Sequence, residues 1–276
     1  VCGLTTLQVA RAFLVPEATI AQRIVRAKHK IVEAGIPYRL PTAVESEGRV
    51  AEVLAVLYLM FNEGYLSSAG EVPERRDLAE DAAWLAQLMV RLMPQDPECW
   101  GVLALMRIHL ARALSRFDDS GNLVLLQHQD RSRWNRPAID EAEVMLERAA
   151  AIGRPGPYQL QAAIAACHAK APSWAATDWE QLLELYDRLV EITDSPVAML
   201  NRAIVVRHRS GPKAALADVE VLASTLKTYY LLHATRAEFL DDLGRTAEAT
   251  AARMRALELT DNPSERRVLE ARLGMR

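Results

Sequence analysis

Stepped at 100° per residue, the apolar positions of this chain fall into stripes rather than alternating runs. From Arg49 onward, apolar side chains return every three or four residues in one segment after another, each ended by glycine, proline or a short polar cluster. The pattern predicts helices over 49–66, 76–93, 97–117, 138–152, 157–170, 178–192, 196–209, 213–225, 228–242, 246–259 and 263–273. Strand character shows only in "NLVLL", which follows the turn residues "DDSG" and breaks the helical rhythm. Alanine, leucine, glutamate and arginine dominate, a mixture that favours helix, and the fold class expected is all-α.

The amino-terminal pattern differs. "TTLQVARAFL" offers Thr5 or Thr6 as an N-cap and sets Leu7, Ala10 and Phe13 on one side, which is a helix of about two and a half turns. "VPEATIAQRIVRAKHKI" then restarts the pattern, with Pro16 suited to a first turn and Glu17 complementing the positive end of the helix dipole. Two short helices joined by a tight turn make a helix-turn-helix. On the second, Ile20, Ile24, Ala27 and Ile31 form an apolar stripe, while Thr19, Gln22, Arg23, Arg26 and Lys30 share a polar sector. Arginine can donate twice to guanine and glutamine can pair with adenine. Lys28, Lys30 and Arg26 are better placed for phosphates. The rival reading is an ordinary solvated basic face. Leu14 stands where most such turns carry glycine, so strain or another turn type is expected there.

Residues 34–48 ("AGIPYRLPTAVESEG") hold two prolines, two glycines and little periodicity, and read as a linker. Beyond it, "RLVEITDSP" at Arg188 recurs as "RALELTDNP" at Arg255, 67 residues on. That is close to twice the tetratricopeptide period of about 34. Ala237, Gly244, Ala249 and Ala256 stand where such a repeat places small residues for close helix packing. Such pairs cannot bury their apolar faces alone, so residues 49–276 are expected to stack as a tetratricopeptide-like, right-handed α-solenoid with a concave surface. A stack of this kind binds a partner, spaces two modules, or clamps the chain itself.

Charge sharpens the division. The 276 residues carry a net −3, yet the stretch to Ile31 sets Arg11, Arg23, Arg26, Lys28 and Lys30 against Glu17 alone. A polyanion-facing start and an acidic remainder imply two tasks. Cys2, Cys99 and Cys167 show no metal or disulfide spacing, which fits a reducing cytoplasm. The longest apolar run, Val53 to Phe61, is too short to cross a bilayer, and no membrane partner is expected. His109, His168, His208 and His233 lie on different helices without i, i+4 partners, so no metal site is expected. Phosphate-cradling and nucleophile motifs are missing, which argues against catalysis and against a cofactor.

Three segments are candidates for a ligand or partner groove. In "DRSRW", Asp130, Arg131, Arg133 and Trp134 either clamp an anion or lock the insertion to a neighbouring helix. In "FNEGYL", Asn62, Glu63 and Tyr65 either face the groove or cap a helix that Gly64 stops. In "PGPYQLQAAIAACHA", Tyr158, Gln161 and His168 lie on one helix.

"LTTLQVARAFLVPEATIAQRIVRAKHKI" resembles the second half of region four of bacterial extracytoplasmic-function sigma factors. Thr19 and Ile20 match that family's "T-V", Arg23 the following "R", and Arg26, Ala27 and Lys28 its "R-A-R". The remainder is similar to the subgroup with a long tetratricopeptide-like extension, in "YLMFNEGYLSS", "LVLLQHQDRSRWNRPAI", "GRPGPYQLQAAIAACHA" and "ALELTDNP". The resemblance implies −35 promoter DNA and RNA polymerase core as partners. It also implies an extension that controls the factor directly, through the missing amino-terminal sigma region or a regulatory protein. Residues 1–33 match only part of region four, so a fragment lacking region two is expected.

Overall fold

The computed structural model describes residues 2–36, 39, 48–67 and 76–274. Thirteen α-helices and three short 3₁₀ turns account for most of them, and no strand longer than one isolated bridge occurs among the described residues. The chain resolves into two compact units, Val1–Arg91 and Leu92–Arg276. These units differ from the expected segments: the two helices after the linker group with the amino-terminal pair. Of the expected linker, residues 37–38 and 40–47 lie outside the described residues, as does Ser68 at the end of "YLMFNEGYLSS".

The first unit holds α1 (Thr6–Ala12), α2 (Glu17–Glu33), α3 (Val50–Ser67) and α4 (Arg76–Leu92). Thr5 caps α1 through a reciprocal box: its hydroxyl accepts from the Gln8 N–H, and the Gln8 side chain accepts from the Thr5 N–H. The helix ends in a Schellman turn, with Leu14 N–H donating to Arg11 O and Val15 N–H to Ala10 O. Leu14 sits at the left-handed position with φ 52°, so the leucine flagged from the sequence does occupy glycine-type backbone. Ala10 and Ile20 bury the α1–α2 contact. Only the first half of the expected α2 stripe is covered: Ile24 is half-buried, and Ala27 and Ile31 are exposed. α1, only seven residues long, can cover no more than part of the 17-residue α2. A second Schellman turn, with Gly35 left-handed, closes α2.

The second unit runs α5 (Pro97–Ala111), α6 (Arg136–Ile152), α7 (Pro157–Lys170), α8 (Trp179–Thr193), α9 (Pro196–Ser210), α10 (Pro212–Val221), α11 (Tyr230–Asp242), α12 (Thr246–Glu258) and α13 (Pro263–Gly274). Each helix from α6 packs on the next, and α5 packs on both α6 and α7, the neighbour pattern of a solenoid. Buried Leu200, Leu216, Leu232, Phe239 and Leu240 hold α9 to α12 together, while Leu160, Ile164, Leu182 and Leu189 join α7 to α8.

The recurring "TDSP" and "TDNP" segments play one local role. Ser195 caps α9 before Pro196, and Asn262 accepts from Ser264 N–H ahead of the turn that opens α13 at Pro263. Asp96 before Pro97 does the same for α5. Two expected ends move. The helix expected over 97–117 stops at Ala111 and passes into a 3₁₀ turn at Ala113–Ser115, and that expected over 213–225 stops at Val221. The strand expected in "NLVLL" reduces to one bridge between Phe117 and Leu123. The Asp118 carboxylate gathers the N–H groups of Ser120 and Asn122 into so tight a turn that the two arms part after one pair. That turn reaches the last helix, where Arg267 donates to Asn122 Oδ1 at 2.9 Å.

Candidate functional site

The candidate nucleic-acid face is α2. Its N-terminal turns are positioned by the Schellman turn and by Ile20 against α1, and the rest of the helix stands clear. Gln22, Arg23, Arg26, Lys28 and Lys30 are exposed and Thr19 is half-buried. The one ion pair on this helix among the described residues joins His29 Nδ1 to Glu33 at 3.0 Å, so the arginines and lysines hold no carboxylate. A cationic side chain that is neither buried nor paired within the fold is available to a polyanion.

Of the candidate groove residues, Asn62, Glu63 and Tyr65 belong to the first unit, and the other seven to the second. Gly64 is buried inside α3 and does not stop it; the helix runs to Ser67 because Phe61 and Gly64 pack inward and Tyr65 stacks on Phe61, ring centroids 5.3 Å apart. Glu63 instead accepts from Gln8 Nε2 at 2.6 Å, tying α3 to α1. Tyr158 and Gln161 occupy the first turns of α7 and His168 its last, about 15 and 10 Å further along at 1.5 Å per residue.

At the C-terminal end of α7 a packed cluster forms. Trp134 is buried and donates from Nε1 to Ser115 Oγ at 2.7 Å. Arg131, Arg112 and Arg136 lie over its ring at 4.6, 5.2 and 5.5 Å. Arg131 Nη1 donates to the carbonyls of His168 and Ala171, and Arg136 Nη1 to that of Ala169. Two arginines therefore satisfy the last carbonyls of α7, where the helix dipole is negative. Asp130 caps its own 3₁₀ turn by accepting from Ser132, and Arg133 is exposed. "DRSRW" thus locks the insertion to α7, the structural one of its two readings.

His168 lies in a second layer of this cluster. Its ring stacks on Trp174 at 5.6 Å and meets Trp179 edge-on at 5.8 Å, and Trp179 in turn stacks on His208 at 3.8 Å. Burial, reinforced by Arg112, Arg131 and His208, pushes the His168 imidazole down to about 4, so it is neutral at pH 7. His109 is pushed down to about 3 by burial, with Arg112 and Arg116 adding to it. Among the described residues no three of His, Cys, Asp or Glu gather as they would around a metal ion. The cysteines are free thiols, and burial pushes Cys99 up to about 12. No described helix is long and apolar enough to cross a membrane.

Sequence reasoning missed Glu98. Its carboxylate accepts from the N–H groups of Tyr158 and Gln159 and from Gln159 Nε2, at 2.8 to 3.1 Å, and so caps α7 from α5. Burial raises its pKa against those hydrogen bonds. The distinctive "GRPGPYQ" is explained here: a Cβ on Gly156 would lie within 2.7 Å of both Glu98 oxygens. In the sequence Glu98 reads as an ordinary acidic first-turn residue of its own helix, and nothing there points to α7. Arg112, Ser115 and Arg136, which enclose Trp134, carried no signal either.

Residues 49–150, which take in α3 to α6 and the insertion, match the model of a family described as a family of unknown function (DUF6596). Over 265 residues the chain is 48% identical to uncharacterized protein R00370 of Rhizobium meliloti (strain 1021), an alignment covering 96% of this chain and 63% of that protein. The chain therefore spans less than two thirds of the length of this curated relative.

Proposed function

We propose that the chain is the C-terminal part of a cytoplasmic sigma factor of the extracytoplasmic-function class. In this reading α2 contacts the −35 element of promoter DNA, and the helical stack regulates initiation through contacts with RNA polymerase core, the amino-terminal sigma region or a regulatory protein. The observation that carries it is the exposed and unpaired row of Gln22, Arg23, Arg26, Lys28 and Lys30 on a helix presented by a tight turn. Had these side chains been spent on the protein's own carboxylates, duplex binding would require them to be released first. Against the rival reading as a small-molecule sensor stands the use of Arg131 as a donor to the last carbonyls of α7.

The test is binding of the 276-residue chain to duplex DNA as a function of salt. Four or five phosphate contacts give a plot of log affinity against log salt with a slope of about −4. Replacing Arg26 and Lys30 together by alanine shallows that slope by about 2. A wild-type chain without measurable duplex affinity at low salt, or a double variant with an unchanged slope, overturns the reading.

A further inference from the structure

Beside its cations α2 exposes a small apolar patch, Ala18, Ala21 and Val25. With Ile20 turned inward, Ala18, Gln22, Val25 and His29 point most nearly outward, Arg23, Arg26 and Lys30 lie to one side, and Ala21 and Lys28 to the other. Ala18 and Ala21 are exposed, and Val25 is 65% exposed. On a solvated helical surface valine is a poorer choice than alanine, leucine or lysine, and Val25, mostly exposed, recovers little by packing. A β-branched apolar side chain one residue before Arg26, and three after Gln22, calls for an apolar contact within the surface that those two polar residues address.

From this geometry we infer that Val25, brought close by Ala18 and Ala21, reads a thymine methyl group in the DNA major groove, so that base preference rests on this apolar patch of α2 as well as on Gln22 and its arginines. The inference rests on the DNA-binding reading given above. Charge complementarity selects the occupant, since the cationic flank faces a polyanion and the groove admits one α-helix. Among the base edges displayed in that groove, the C5 methyl of thymine is the apolar group. Small alanines one and two turns before Val25 allow close approach of the helix, and Val25 supplies the methyls.

Selection of duplexes from a random library by the 276-residue chain at low salt, followed by sequencing, tests it. The wild type enriches a motif containing a thymine whose preference is flattened in Val25→Ala, while neighbouring positions and the salt slope stay unchanged. Deoxyuridine, which lacks the methyl, weakens wild-type binding about three- to fivefold at that position and leaves Val25→Ala unaffected. An unaltered motif in Val25→Ala, or no loss with deoxyuridine, overturns the inference and leaves the DNA-binding reading standing. Unchanged base preference together with weaker binding to polymerase core assigns Val25 to a protein contact and likewise overturns it. A wild-type chain that captures no duplex overturns both.

Discussion

His168 shows how one side chain links packing to solution behaviour. It is neutral in the fold because burial and the neighbouring Arg112 and Arg131 disfavour its charged form. Its folded pKa lies below the unfolded value, so its contribution to stability is fully present above about pH 6.5 and is lost as pH falls toward 4. His168→Gln keeps a polar, uncharged group there. Urea titrations at pH 7.5 and 4.5 will show the wild type losing more stability than the variant over that interval, by up to about 3 kcal/mol. Equal losses in the two proteins mean that the imidazole is not held neutral. Trp134 makes the complementary case. Its alanine variant empties a buried volume, removes the indole N–H donor to Ser115 and takes away the ring beneath three arginines. A loss of about 4 kcal/mol is expected in chemical denaturation.

At the scale of elements, helix positions were legible because the signals are local. Thr5, Asp96, Ser195 and Asn262 act as caps where the sequence places cap residues, and Gly244 ends α11 in left-handed backbone. Gly64 misled for the opposite reason: glycine also serves where a helix is crowded, and here it is buried mid-helix. Crowding likewise governs how α5 meets α7. A Cβ on Gly101 would stand 2.6 Å from the backbone nitrogen of Gln159, which cannot swing aside. Gly101→Ala therefore separates the two helices and costs about 3 kcal/mol. Gly156→Ala meets only a side-chain carboxylate, so Glu98 can retreat at the price of its α7 cap, about 2 kcal/mol. Thermal melts that rank these two variants the other way would show that the Glu98 cap matters more than the helix approach.

At the scale of the whole molecule, the α2 cations and the long helical stack fall in different units, which makes the proposed role of α2 measurable. The unit Leu92–Arg276 carries its own buried clusters and none of the α2 cations. Expressed alone, it should show strong helical dichroism, unfold cooperatively and have no salt-dependent affinity for duplex DNA, checked by fluorescence anisotropy against the full chain. Equal affinity would move the polyanion site out of α2. What the sequence by itself determined is what depends on near neighbours: an all-α chain, its helix limits to within a few residues, the capped turns, the left-handed Leu14 and the cationic face of α2. What only the tertiary structure decided depends on distant partners. Glu98 reaches across about sixty positions to cap α7, Arg131 and Arg136 across more than thirty to its last carbonyls, and Gln8 across fifty-five to Glu63. Periodicity records which face of a helix is turned inward, but not what meets it there. For that reason Arg131 could be singled out from the sequence, while its partners at the end of α7 could not.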